Sequence, residues 1–244
     1  MRPPTIQGLS GNNLLSVLNE EDRARLIGHM LTFELKANDV LQEAGDDVVN
    51  TWFPCGSAMA GFSVGTGQDD HAIEVALVGR EGAIGGIVSN GSLPAYATAQ
   101  VRFSGTFIRI KTSAIEQAKL DSIALRHWFS RYSDCLLAQV FQTAACNATH
   151  TITQRVAKWL LAAVDRTSGS QFEMTQEQLA GMLGVGRTFV TRIVRNLRED
   201  GIIATRRGVF IIKNEAALKA ASCNCTATLE NHFDTVLHGI YPAA

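Results

Sequence analysis

Arg187, Thr188, Thr191, Arg192 and Arg195 fall on one side of a segment whose other side is Val190, Ile193, Val194 and Leu197. The apolar residues recur at i, i+3, i+4 and i+7, so the segment reads as a helix with one seated face and one basic face. An Arg fork can donate two hydrogen bonds to guanine N7 and O6, and a Thr can bond a base or touch the thymine methyl. Upstream, Thr175-Gln176-Glu177-Gln178 is a capping-box pattern opening a shorter helix through Leu179, Ala180, Met182 and Leu183. Gly184-Val185-Gly186 supplies the turn between the two helices. Downstream, Ile202-Ile203 and Val209-Phe210-Ile211-Ile212 flank Thr205-Arg206-Arg207-Gly208, a hairpin with a basic tip suited to phosphate contact. Two helices joined by a Gly-containing turn, then such a wing, make a winged helix-turn-helix. The competing reading is a plain helical hairpin with solvated arginines. Turn, face and wing arriving together weigh against it.

Other constellations are weaker. There is no P-loop, dinucleotide Gly motif, nucleophile elbow or metal pair, so the chain is not expected to be an enzyme. The six His (29, 71, 127, 150, 232 and 238) show no metal-ligand spacing, and His150, near a helix start, reads as structural. Cys223 and Cys225 are two sulfurs one residue apart that would need partners, and His232 and His238 are the nearest in sequence. Tail packing with inert thiols is the expected reading, with no metal and no cofactor. Cys135 and Cys146 read as core or seam residues rather than redox switches.

The chain that must position the basic helix has 244 residues, enough for two domains. Hydrophobic residues make up 46% and charged residues 18%, which excludes wholesale disorder. Five Cys without a secretory leader do not make a disulfide framework. The N-terminus has two early Pro and no long apolar core, unlike a signal peptide. The longest uncharged run, Gly82–Val101, is too rich in Gly, Ser, Thr and Asn for a membrane span. A soluble, cytoplasmic protein is expected. The net charge of −1 conceals an asymmetry: residues 149–222 hold eleven Lys/Arg against six Asp/Glu, a net +5, and the remainder is acidic. A basic block behind a mildly acidic one suits a sensor joined to a nucleic-acid-binding module.

Texture divides the chain again. After a short helical lead, turn signals recur every ten to twelve residues, at Ala44-Gly45-Asp46, Pro54-Cys55-Gly56, Gly65-Thr66-Gly67, Gly79–Gly82 and Gly91-Ser92-Leu93-Pro94. Strand-like runs such as Ile73–Val78 and Phe103–Ile110 lie between them, predicting a β-roll, barrel or sandwich over roughly residues 30–111. From Ser122 the period becomes helical: Leu125, Phe129, Tyr132, Leu136, Val140 and Ala144 share a face, which Trp128, Leu137, Phe141 and Ala145 widen. No Gly or Pro occurs between Thr106 and Thr167, so a long helix is expected. Its apolar stripe can either cover the β-domain or interlock with a second copy.

The run Thr175–Leu197, followed by Asp200-Gly201-Ile202-Ile203, resembles the DNA-binding domain of the CRP/FNR regulators. The similarity spans nearly the whole chain in the family's order. It implies an α+β fold with an N-terminal β-roll (double-stranded β-helix), a long dimerisation helix and a C-terminal winged helix-turn-helix. The corresponding domains are a cyclic-nucleotide-binding-like sensor at 1–120, a dimerisation helix at 121–147, a DNA-binding domain at 148–222 and a tail at 223–244. The resemblance further implies a homodimer binding a palindromic double-stranded DNA operator, with RNA polymerase as a further partner and no membrane. Arg187 and Arg192 match the family's base- and phosphate-contacting arginines, and Arg195 lies where a basic residue faces DNA. Thr175, Gln176, Thr188, Thr191, Arg206 and Arg207 complete the expected interface. Thr188 stands where many members have a base-contacting Glu, which leaves the half-site open. Leu125, Phe129, Tyr132, Leu136 and Val140 become the expected dimer seam.

Cyclic-nucleotide-binding members carry a Gly-Glu pair and, ten residues after the Glu, an Arg followed by Ser or Thr. Here Gly82-Ala83-Ile84-Gly85 aligns with the start, but Gly86 occupies the Glu position and Tyr96 the Arg position, followed by Ala97 and Thr98. Gly and Tyr can neither hold a ribose hydroxyl nor neutralise a phosphate, so the regulator is expected to be independent of cyclic nucleotides, its effector unknown. Tyr96 is expected to fill the vacated pocket or to stack on another ligand. No N-terminal Cys cluster of the FNR kind is present. The competing class is a ligand-sensing or scaffold protein whose helix-turn-helix makes protein contacts.

Overall fold

The structure is a computed structural model describing residues 2–65, 67, 72–86, 93–167 and 169–241, with backbone alone at 166 and 167. Thr66 and Gly91-Ser92, in two of the expected turns, and His71 lie outside the described residues. The architecture is α+β, as the sequence implies, and the chain divides into two compact units.

The first unit comprises residues 1–64, 76–139 and 231–244. It opens with α1 (Ile6–Leu9), α2 (Asn13–Ser16) and α3 (Glu20–Ile27), capped by Thr5, Asn12 and Asn19, whose side-chain oxygens accept amide hydrogens of the first turn. The roll strands follow: β1 (Met30–Leu35), β2 (Val40–Gln42), β3 (Asn50–Pro54), β4 (Met59–Gly65), β5 (Ala72–Val78), β6 (Thr98–Phe103) and β7 (Gly105–Lys111). They form two sheets, β1-β7-β3 and β2-β6-β4-β5. The run Phe103–Ile110 is therefore two strands, parted at Ser104. Trp52, Ala58, Ala60, Val78, Ile84, Ala99, Val101 and Phe107 fill the space between the sheets.

Three helices occupy the Gly- and Pro-free stretch: α4 (Thr112–Asp121), α5 (Ile123–Thr149) and α6 (Ile152–Thr167). One unbroken helix does not form because polar caps interrupt it. The backbone leaves helical geometry at Ser122, whose hydroxyl accepts the Leu125 amide at 3.2 Å. Thr151 and Gln154 make a reciprocal capping box at the start of α6. Leu125, Trp128, Phe129 and Tyr132 of α5 are buried in a core with Leu14, Phe53 and Ile108. The expected tail is built in as well. Tyr241 is buried, packs edge-on against Trp128 and donates a hydrogen bond to Asp22 Oδ2 at 2.5 Å.

The second unit comprises residues 65–75 and 140–230. After α6 come β8 (Gln171–Glu173), α7 (Gln176–Leu183), α8 (Arg187–Glu199), β9 (Ile203–Arg206), β10 (Val209–Ile212), α9 (Glu215–Ala221) and α10 (Cys225–Leu237), the last continuing into the first unit. The sheet order β8-β10-β9 is antiparallel throughout. Trp159, Phe172 and Phe210 centre the core, the two phenylalanines stacked at 5.8 Å.

Candidate nucleic-acid interface

The capping box forms as read: Thr175 Oγ1 accepts the Gln178 amide at 3.1 Å, and Gln178 Oε1 accepts the Thr175 amide at 2.8 Å. Helix α7 ends at Gly184 in the left-handed region, φ +62°, where a Cβ costs energy and glycine does not. Arg155 of α6 donates to the Leu183 carbonyl at 2.6 Å, satisfying an acceptor that the helix end leaves unpaired. That basic residue is structural.

Val190, Ile193, Val194 and Leu197 are buried beneath α8. Arg187, Thr188, Thr191, Arg192 and Arg195 are all exposed on its other side. Their partners are loose. Arg187 Nη1 lies 3.6 Å from Glu177 and Arg195 Nε 3.8 Å from Glu199, both pairs well exposed, so water and salt screen them and a phosphate can displace the carboxylate. The Arg192 guanidinium lies 5.3 Å from the centre of the Phe189 ring, itself half exposed. This platform holds a flexible cation in place at little cost in side-chain entropy. Phe189 and Glu177 escaped the sequence reading, although Phe189 and Arg192 stand at a spacing that brings helix side chains together. Thr191 Oγ1 donates to Gln176 Oε1 at 2.9 Å, so Thr191 is left its methyl for a thymine and Gln176 its amide hydrogens for a phosphate.

The wing closes in two residues, Arg207 and Gly208, between the paired Arg206 and Val209. Both have positive φ, +46° and +81°, the geometry of a type I′ hairpin. For Arg207 that conformation costs about 1–2 kcal/mol. An Arg held there against its preference puts a cation at the exposed tip beside Arg206. Arg207→Asn is expected to stabilise the chain by about 0.5–1 kcal/mol in urea denaturation, since Asn tolerates the turn. The same change is expected to weaken binding to every DNA sequence; unchanged affinity would remove Arg207 from the interface.

The other expected positions are altered by packing. Of the five seam residues, Leu125, Phe129 and Tyr132 are fully buried within their own chain and Leu136 packs on the roll interior. Val140 is exposed, as are Leu137 and Phe141. The reason is position along the helix: Leu125, Phe129, Tyr132 and Leu136 lie on the stretch of α5 that belongs to the first unit, which ends at Gln139, and Val140 and Phe141 lie beyond it. Gly85 and Gly86 have positive φ, and a Cβ at Gly86 would collide with the Thr112 side chain, so no Glu fits that backbone. Tyr96 is 86% exposed and fills no pocket. Ala97 and Thr98 are half-buried at the start of β6, where Thr98 Oγ1 accepts the Ala44 amide at 3.2 Å. Cys135 remains a core thiol, its pKa pushed up to about 11 by burial. Cys223 and Cys225 meet Cys146 and His150, not the histidines nearest in sequence.

Residues 154–221 match the family described as the Crp-like helix-turn-helix domain. No curated protein matches the chain. Among solved structures, FixK2 from Bradyrhizobium japonicum is similar with a TM-score of 0.67 at 15% identity, over 80% of this chain and 98% of its own. A transcriptional regulator of the CRP/FNR family from Eubacterium rectale has the same TM-score and identity, over 87% of this chain and 98% of its own. A CRP/FNR-family regulator from Thermus thermophilus scores 0.63 at 17% identity, over 79% and 98%. At these identities the likeness is one of fold.

Proposed function

We infer that this chain, which carries a Crp-like helix-turn-helix domain and has the fold of the CRP/FNR transcriptional regulators, acts as a homodimer on a palindromic DNA site without cyclic nucleotide. The observation that carries the reading is the exposed row Arg187, Thr188, Thr191, Arg192 and Arg195 on a helix whose other face is buried. Two such helices in successive major grooves stand about 34 Å apart, so the bound site is a two-fold palindrome. No described helix is long and apolar enough to cross a membrane; action in the cytoplasm beside RNA polymerase is part of the same proposal. Selection of bound DNA from a random pool tests this. Recovery of one inverted repeat with salt-dependent affinity is expected; no enrichment at any salt concentration would favour a protein-binding scaffold.

The exposed strip Leu137, Val140, Phe141 and Ala144 supports the dimer, being apolar at the spacing two helices need to interlock. Phe141→Glu is expected to yield monomers in ultracentrifugation that bind DNA poorly, because a monomer reads one half-site. A dimer that survives both Phe141→Glu and Leu137→Glu would place the seam elsewhere.

Independence from cyclic nucleotides is supported by Gly86 packed on Thr112, by the solvent-facing Tyr96 and by the apolar filling of the roll. A buried phosphate without a cation keeps a large desolvation penalty. Calorimetry with millimolar cyclic AMP or cyclic GMP is expected to show no saturable heat. Micromolar binding of either would overturn this part of the reading.

A further inference from the structure

Three thiols and one imidazole converge in the second unit. Cys146, in the last turn of α5, and His150, the residue after that helix, lie one turn apart, the His150 amide donating to the Cys146 carbonyl at 3.0 Å, hence on one face. Cys223 and Cys225 flank the bend from α9 into α10. The four candidate ligand atoms all lie within 4.8 Å of one another. Cys146, Cys223 and Cys225 are buried and His150 is half-buried. We propose that Cys146, His150, Cys223 and Cys225 bind a single zinc ion in a closed, four-coordinate site.

Distances favour one metal ion. Zinc binds sulfur at about 2.3 Å and imidazole nitrogen at about 2.0–2.1 Å, so tetrahedral geometry sets S···S near 3.8 Å and S···N near 3.6 Å. The Cys146–Cys223 sulfurs are 3.8 Å apart, and Cys225 Sγ lies 3.6 Å from His150 Nδ1. An iron–sulfur cluster spreads its thiolates over several irons and needs a wider cage. A Cys146–Cys223 disulfide would leave Cys225 and His150 without a role.

The surroundings suit the ion too. Binding releases three thiol protons to solvent and leaves one net negative charge on the Cys3His–zinc group. Lys158 supplies the counter-charge, donating to Cys146 Sγ at 3.4 Å. The Gln142 amide, one turn before Cys146, donates to Cys225 Sγ at 3.1 Å. Such outer contacts orient ligands and typically change metal affinity about 10–100-fold. With four protein ligands no position is open to a substrate, so the ion is structural.

The test is metal analysis of the untagged full-length protein, grown with zinc. About one zinc per chain is expected. Cys146→Ser and Cys225→Ser are expected to lose at least nine-tenths of it, Cys135→Ser to keep it, and His150→Cys to retain it as a four-cysteine site. Lys158→Met is expected to weaken affinity about tenfold. Should the serine variants not fold, cobalt replacing zinc in the wild-type chain is read instead, by the visible bands of tetrahedral thiolate-bound cobalt. Those bands support the site. Absence of both zinc and a cobalt spectrum overturns it, as does zinc retained in folded serine variants. A Cys146–Cys223 disulfide in freshly purified protein, or iron with acid-labile sulfide, also overturns it.

Discussion

Arg187→Ala is expected to weaken binding to the selected palindrome by about 1–3 kcal/mol per half-site while leaving random-sequence binding nearly unchanged. Arg187 stands at the start of α8 with its guanidinium exposed and its ion pair with Glu177 screened by water. Breaking that pair costs less than about 1 kcal/mol, so the arginine can turn to a base edge. A bidentate contact from one rigid fork to guanine N7 and O6 would be lost as a unit with the side chain. Arg206→Ala offers the contrast. At the wing it is placed for phosphate rather than base contact, so its loss is expected to lower affinity on all sequences and to reduce the slope of log K against log salt by about one. Gel shifts across a salt series on selected and random DNA separate the two. Equal losses for Arg187→Ala on both DNAs would remove its base-reading role.

Tyr132→Phe is expected to destabilise the first unit by about 2–4 kcal/mol, a large effect for one oxygen atom. The hydroxyl is fully buried, accepts the Ala83 amide at 2.8 Å and donates to the Ala83 carbonyl at 2.9 Å. Burial also raises the phenol pKa well above its ordinary value, so the donor stays protonated at any working pH. Phe fills the same space but leaves a buried amide and a buried carbonyl without partners. Gly82→Ala attacks the same contact, since its Cβ would collide with the Tyr132 hydroxyl. The double variant is expected to lose less than the sum of the two, because removing the hydroxyl also removes the atom that the new Cβ meets most closely. Strict additivity in urea unfolding would show that the two residues act independently.

Local grammar makes the second unit legible. Capping at Thr175, the turn at Gly184 and the apolar set Val190, Ile193, Val194 and Leu197 act over a few residues, so spacing alone reveals them. The roll is legible in outline, because turns punctuate strands without saying which sheet each joins. The seam is not, because Leu125, Phe129, Leu137 and Phe141 are equally apolar, and periodicity cannot say which part of a helix meets its own domain. The Cys/His cluster is illegible for a related reason. Cys146 and Cys223 are 77 positions apart, and the bend that unites them exists only after α6, the wing and α9 have packed. Gly86 shows the reverse case. Its identity excludes a carboxylate, and the structure adds that Thr112 has taken the space.

The meeting of Cys146 with Cys223 has a topological consequence. The chain between them holds α6, both helices of the helix-turn-helix, the wing and α9, so joining its ends makes the whole helix-turn-helix domain one closed ring. A ring this long removes about 4–5 kcal/mol worth of disorder from the unfolded chain when a covalent bond closes it, and a tightly held ion acts on the same entropy. Metal supply thereby becomes a folding variable: a newly made chain starved of the ion must order the module without that constraint.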